Sequence, residues 1–170
     1  MRDAKVFTTM DLQSAYNQIA VAPLDRPKTA FIHRTGLYEY TRMPFGLRNA
    51  PSTFQRFMNM IMSTGDAAMQ IYVMVYLDDV VIFSSNITEH CVHLHQVLSI
   101  LSRHGLKLKL SKCEFGRNRI HYLGHVLDAD GVHVDPAKVS AVADMPLPTK
   151  VVELQSILGM FGYYRRFIDG

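Results

Sequence analysis

Cysteine is nearly missing from this chain of 170 residues: Cys91 and Cys113 are its only two. Two thiols at that spacing match no metal-binding pattern and cannot build a disulfide framework, so an intracellular, reducing compartment, cytoplasmic or nuclear, is expected. Also missing is any run approaching the roughly 18 uninterrupted apolar residues of a membrane span. The opening MRDAKVF lacks the apolar centre of a secretory leader, so no membrane partner is expected. No internal repeat, low-complexity tract or long linker interrupts the chain. Acids and bases nearly balance, at a formal charge of +3, and bulk charge therefore names no partner.

What is present is a hydrophobic content of 48%, enough for the core of one domain or slightly more. The positive charge is concentrated. Between 103 and 119, RHGLKLKLSKCEFGRNR carries Arg103, Lys107, Lys109, Lys112, Arg117 and Arg119 against one acid, Glu114. Such a stretch contacts phosphates or guards a sheet edge with solvated lysines, and the sequence leaves both open.

Periodicity organises the rest. KVFTTMDL (5–12) reads as a strand, and 28–43 as a hairpin turning near Thr35-Gly36. A helix is expected from Asn49, with Pro51 in its first turn and Phe54, Phe57, Met58, Ile61 and Met62 at spacings of three and four. IYVMVYL and VVIF read as two strands. Asn86 and Glu89 have the spacing of a capping box, ahead of a helix with Ile87, Cys91, Leu94, Leu98 and Leu101 on one stripe and Gly105 as its stop. The segment 120–134 reads as a hairpin around Asp128 to Gly131. Asp135-Pro136 opens a short helix, and Thr149 opens a last one ending near Ile168. Mixed helices and hairpins imply an α+β fold with an antiparallel sheet and helices packed on one face.

Against that background Asp78 and Asp79 stand out, because they interrupt the apolar run YVMVYLDDVVIF. An Asp-Asp pair between strands is ordinarily a turn. Strand alternation puts Tyr72, Met74, Tyr76 and Asp78 on one face, with Val73, Val75 and Leu77 on the other for the helices, and it turns Asp79 away from Asp78. The first face is expected to be an open working surface. A third carboxylate, Asp11, ends the strand VFTTMD. If the two strands are neighbours, Asp11 and Asp78 converge, and converging carboxylates repel unless a cation joins them. A hard, oxygen-seeking ion such as Mg²⁺ suits one or two carboxylates plus substrate phosphates. Two such ions clamp the oxygens of an in-line phosphoryl displacement. The histidines of EHCVHLHQ (89–96) lack the further ligands of a zinc site and read as a polar helix flank.

The ordered motifs resemble those of reverse transcriptases of the gypsy-type LTR retrotransposons: FTTMDLQSAYNQI (7–19), RMPFGLRNAPSTFQRFMN (42–59), YLDD (76–79), GLKLKLSKCEF (105–115), HYLGHVL (121–127) and LQSILGMFGYYRRFI (154–168). The resemblance implies an RNA-directed DNA polymerase joining dNTPs to a primer 3′-hydroxyl on an RNA or DNA template. By the same resemblance Asp11, Asp78 and the Leu12 carbonyl hold two Mg²⁺ ions, for which Mn²⁺ can substitute, while Asp79 adjoins and tunes them. Tyr16 is the steric gate against a ribose 2′-hydroxyl. Phe45 and Gly46 line the nucleotide pocket, with Phe45 where retroviral relatives carry glutamine. Leu77 touches the primer end or the nucleotide sugar, Lys112 stands near the triphosphate to protonate the leaving group, and Tyr122, Leu123 and Gly124 form the primer grip.

The resemblance further implies a palm with partial fingers over 1–134, the 28–43 hairpin included, and the helical start of a thumb or connection over 135–170. It marks the chain as a palm-centred fragment lacking upstream fingers and ribonuclease H, with weak or no synthesis expected from it alone. Template-primer, dNTP and other parts of a retroelement polyprotein are the implied partners. A non-catalytic nucleic-acid-binding module derived from a retroelement is the alternative. A nucleotidyl cyclase, another two-metal enzyme, fits less well because it has no use for a primer grip.

Overall fold

A computed structural model describes residues 3–65, 69–143, 145 and 147–167. Strand β1 (Val6–Asp11) is followed by two short 3-10 segments, Ala15–Gln18 and Pro23–Thr29, and by a hairpin of β2 (Phe31–His33) and β3 (Gly36–Tyr38). Helix α1 (Ala50–Met62), a single helical turn α2 (Met69–Tyr72) and the hairpin β4 (Val73–Tyr76) and β5 (Asp79–Ser84) come next. Then follow α3 (Ile87–Arg103), β6 (Glu114–Arg117), the meander β7 (Arg119–Tyr122), β8 (His125–Asp128) and β9 (Gly131–Val134), and helices α4 (Pro136–Ala143) and α5 (Val151–Tyr164). The class is α+β. Its main sheet has the order β4-β5-β1-β6 and is antiparallel throughout.

Local chemistry sets the helix ends. Pro51 sits in the first turn of α1, where its missing N–H costs nothing. The Asn86 side chain accepts the Glu89 N–H at 2.9 Å to open α3, and Gly105, at φ +69°, follows its end. The Glu153 carboxylate gathers the N–H groups of Thr149 and Lys150 at the start of α5. Ile168, where the last helix was expected to end, lies outside the described residues; α5 gives way to a 3-10 turn at Arg165–Phe167.

The helix-side face of the sheet buries Met10, Val73, Val80 and Ile82 against Phe54, Met58 and Ile61 of α1 and Val97, Ile100 and Leu101 of α3. Phe54, Met58, Ile61 and Val97 are fully buried, each contributing about 1.5–3 kcal/mol by removal from water. The opposite face is not the open surface that alternation suggested. Phe7, Val81 and Phe83 make it apolar, and the β7–β9 meander covers it with Ile120, Tyr122 and Leu127. Asp11 and Asp79 lie outside that second core.

Four local expectations are corrected. Tyr72 ends a helical turn instead of opening a strand, and its ring stacks on His93 of α3 at 3.6 Å while its hydroxyl donates to Gln96. The stripe of α3 holds in its later turns, where Leu94 and Leu98 are half-buried on the core and Leu101 is buried, but Ile87 and Cys91 are exposed, and His90, Val97 and Ile100 also face inward. His90 is no polar flank, since Thr8 and Ser84 bond both its ring nitrogens and let it replace an apolar residue in the core. The segment 120–134, with Arg119, folds as three strands, because Leu123-Gly124 makes a second turn inside it. The β2–β3 arm is exposed along its whole length. Among the described residues no helix is long and apolar enough to cross a membrane.

Candidate active site

Register brings the carboxylates together. In the β1–β5 ladder Asp11 is the direct partner of Asp79, so both side chains stand on one face of the sheet. Main-chain bonds extend the junction past the strand ends: the Leu12 N–H donates to the Asp78 carbonyl at 3.2 Å, and the Lys109 N–H donates to the Asp11 carbonyl at 2.9 Å. Asp78 lies in the turn between β4 and β5, beside Leu77 at φ +55°.

That turn reverses the facing read from the sequence. Tyr76 pairs with Asp79, leaving Leu77 and Asp78 as the two central residues of the hairpin. Cross-strand partners share a face, so Asp79 stands with Tyr76 and Asp11, whereas simple alternation had assigned Asp78 there. A positive φ on the first central residue matches a type II′ hairpin turn, which restarts the alternation.

A cleft of about 230 Å³ opens at this face, lined by Asp11, Asp79, Lys112, Glu114, His121, Tyr122 and Leu123 among others. Lys112 reaches into it from the basic stretch, its Nζ donating to Asp11 Oδ2 at 3.0 Å. Burial first, then the charges of Asp78 and Asp11, hold the Asp79 carboxyl above its ordinary range, and Lys112 partly offsets them. Lys112 is raised by its hydrogen bond to Asp11 and by that charge, with Asp78 and Asp79 adding. All three carboxylates therefore share one field.

The field reaches two tyrosines on opposite sides. Tyr16, in the 3-10 turn entered through Ser14 at φ +47°, is raised by burial and then by Asp78. Its ring leans on Phe45 at 5.1 Å and on the edge of Phe54 at 5.7 Å. Phe45 itself is exposed, and Gly46 takes φ +90° with open space where a Cβ would point; backbone conformation, not a close neighbour, calls for glycine there. On the other side Tyr122 is pushed up to about 12 by burial, then by Asp79 and Tyr76. Leu123 and Gly124, both at positive φ, turn β7 into β8. The Leu123 carbonyl accepts from the Tyr163 hydroxyl at 2.8 Å and from His125 Nδ1 at 3.0 Å, so the end of α5 holds this turn. At Gly124, Tyr164 Oη lies 3.1 Å from where a Cβ would be.

The oxygen-rich end fits a hard divalent cation. Such an ion needs only one or two carboxylates and takes its remaining oxygens from phosphates and water. A cation relieves the repulsion that raises Asp79. Among the described residues no three His, Cys, Asp or Glu side chains form a complete ligand set. A cation here therefore relies on substrate or solvent oxygens, and it competes with Lys112 for Asp11. The Leu12 side chain is buried, and its N–H is taken by the Asp78 carbonyl.

Several residues of the site gave no sequence signal. Gln55 touches the turn that carries Asp78 but sits between the apolar positions of α1, where periodicity is silent. Glu114 and His121 line the cleft from the edges of motifs read for their neighbours. The Tyr163 contact spans 40 residues and has no local trace.

The family model described as reverse transcriptase (RNA-dependent DNA polymerase) matches residues 1–127. The chain is similar to the retrovirus-related Pol polyproteins of two Drosophila melanogaster transposons, 297, at 46% identity over 95% of this chain, and gypsy, at 42% over 97%. It is 33% identical over 99% of its length to the transposon Tf2-3 polyprotein of Schizosaccharomyces pombe. It spans only 15%, 16% and 12% of those three polyproteins. Among solved structures it is similar to the foamy viral protease-reverse transcriptase in complex with double-stranded DNA. There the TM-score is 0.84 at 25% identity, covering 95% of this chain and 28% of that one. The same viral protein with an RNA/DNA hybrid gives 0.79 at 25% identity, covering 95% and 21%.

Proposed function

The chain belongs to the reverse transcriptase family, and from that premise we propose that its carboxylate cleft performs nucleotidyl transfer. The substrates are a template-primer and a dNTP: the primer 3′-hydroxyl attacks the α-phosphate and pyrophosphate leaves. The observation that carries the reading is the pairing of Asp11 with Asp79 beside the turn that holds Asp78.

In this reading Asp11, Asp78 and Asp79, with the Leu12 carbonyl, hold two Mg²⁺ ions, and Mn²⁺ can replace them. Bound there, divalent cations supply charge neutralisation and Lewis-acid activation at the reacting phosphate. Lys112, kept firmly protonated by Asp11, stands ready to give a proton to the leaving pyrophosphate. Tyr16, braced by Phe45 and Phe54, presents its ring as the barrier to a ribose 2′-hydroxyl. Phe45 and Gly46 form the nucleotide-pocket wall, and Leu77 meets the primer end or the sugar. Tyr122, Leu123 and Gly124 hold the primer strand by its backbone, and template pairing supplies the sequence. Residues 1–134 serve as palm with partial fingers, and 135–170 begin the thumb or connection. Other segments of a retroelement polyprotein are the natural companions of this chain.

The test is primer extension on an RNA template with Mg²⁺ or Mn²⁺, comparing the unsubstituted chain with Asp78→Asn and measuring template-primer binding in parallel. Weak synthesis at most is expected of the unsubstituted chain, and its loss in Asp78→Asn with binding retained. Synthesis surviving Asp78→Asn overturns the assignment; where neither chain synthesises, an Mn²⁺ affinity unchanged by Asp78→Asn identifies a binding module.

A further inference from the structure

Leu77 occupies a backbone conformation that glycine normally takes, at φ +55°, next to the carboxylates. A side-chain-bearing residue stays there only when its surroundings hold it. On the β1 side the Asp78 carbonyl is held by the Leu12 N–H at 3.2 Å. On the other side no strand is available among the described residues, because β4 is the edge of the sheet. Tyr76 pairs toward β5, so the groups on either side of it, the Val75 carbonyl and the Leu77 N–H, point outward.

Gln55 of α1 meets both. Its Oε1 accepts the Leu77 N–H at 2.7 Å, and its Nε2 donates to the Val75 carbonyl at 3.1 Å. The same Nε2 donates to Asn59 Oδ1 at 2.9 Å, one helical turn along, which orients the carboxamide. A carboxamide carries an acceptor and a donor side by side, the complement that a neighbouring strand's peptide would offer. Among natural side chains only glutamine and asparagine offer this pair, and asparagine is one methylene shorter. The helix that supplies Gln55 also supplies Phe54, which braces Tyr16 at 5.7 Å. One rigid element thus references both the carboxylate turn and the aromatic wall.

We propose that Gln55 is a positioning residue that completes the edge of β4 and clamps the Leu77 turn, so fixing where Asp78 and Asp79 present their carboxylates. Gln55 acts through the backbone of the turn and takes no part in the reaction itself. The inference rests on the reading of the carboxylates as a cation site, but its first consequence, a protected Leu77 amide, does not depend on any cation.

The experiment follows amide exchange by NMR at Leu77 and at Ile82, in the middle of β5, together with Mn²⁺ affinity from water-proton relaxation. In Gln55→Leu, Leu77 exchange is expected to rise at least ~10-fold while Ile82 stays within ~2-fold, because one charge-free hydrogen bond and its partner are lost. Mn²⁺ affinity falls by ~5–10-fold, the same loss expressed at the carboxylates. Gln55→Glu keeps the acceptor for Leu77, so its protection stays within ~3-fold, and this near-isosteric variant serves where the leucine variant does not fold. The proposal is overturned if Leu77 exchange in Gln55→Leu is unchanged, if it rises in step with Ile82, or if Gln55→Glu loses protection as fully as leucine does. An unsubstituted chain that binds no Mn²⁺ refutes the cation reading instead, and the exchange rates then decide the clamp by themselves.

Discussion

At one end of the β1–β5 ladder Val6 faces Ser84, and at the other Asp11 faces Asp79. Both ends carry polar groups, yet they treat them in opposite ways. Near Ser84 the polar groups complete one another. The Gly116 N–H donates to Thr8 Oγ1 at 3.1 Å, Thr8 Oγ1 meets His90 Nε2 at 2.7 Å, His90 Nδ1 meets Ser84 Oγ at 2.9 Å, and Ser84 Oγ meets His93 Nδ1 at 2.8 Å. Hydroxyl and neutral imidazole each donate once and accept once, so a single direction along this chain satisfies every group. Among the described residues no buried side-chain nitrogen or oxygen lacks a partner. Near Asp79 the reverse holds: three carboxylates gather where one ammonium pairs with Asp11, and the Asp79 carboxyl is raised by burial and then by its charged neighbours. A self-satisfied network is structural and needs nothing added. Unrelieved like charge at a sheet end costs stability and is kept where a ligand relieves it.

The comparison breaks most visibly at the closed end. His90→Ala should cost about 3 kcal/mol, since it empties buried volume and strands the hydroxyls of Thr8 and Ser84. Urea unfolding reads this directly, and a change below about 1 kcal/mol would mean the network contributes little. At the open end the large effect is on binding. Asp11→Asn should lower Mn²⁺ affinity by ~100-fold, about 2.7 kcal/mol, while moving unfolding by under ~0.5 kcal/mol, because its Lys112 partner is solvent-exposed. Equal losses of stability and affinity would erase the distinction between the two ends.

Acid should act on the two ends with opposite sign. Burial lowers His90 and His93 below the ordinary imidazole value of 6.5, so the unfolded chain binds more protons, and their stabilising contribution is lost as pH falls through 6.5. Asp79 is raised above its ordinary 3.8, so the folded chain is the one that takes up the proton, and acidification through that raised range favours folding. Denaturant midpoints between pH 7 and 5 should therefore fall, and His90→Phe should flatten the slope. A midpoint that rises over that interval contradicts the assignment. The smallest effect is expected from Asp79→Asn, which removes repulsion at a partly exposed site and should stabilise the fold by only a few tenths of a kcal/mol. Any clear destabilisation there would show that Asp79 is bonded structurally.

Much of this was legible in the residues. Phe54, Met58, Ile61 and Met62 recur at helical spacing and are buried in α1. Asn86 caps α3 as its spacing with Glu89 suggests. Legibility failed where a long-range partner outweighed local pattern. His90 reads as polar and is core, because Thr8 lies 82 residues away in sequence and 2.7 Å away in space. Ile87 and Cys91 continue the stripe of Leu94, Leu98 and Leu101 by spacing, yet both are exposed. Gln55 resembles any solvated helix residue until the unpaired edge of β4 lies beside it.

By itself the amino-acid order determined the family, the succession of strands and helices, and the presence of three carboxylates in turn-bounded strands, because those depend on side-chain type and near spacing. Tertiary structure alone decided that Asp79 rather than Asp78 stands opposite Asp11, that the meander packs on the second sheet face, that Gln55 bonds the turn beside Asp78 and that Lys112 bonds Asp11. The physical reason is that strand register and turn geometry are set by pairing between distant segments. A two-residue turn restarts the alternation from which facing is otherwise read.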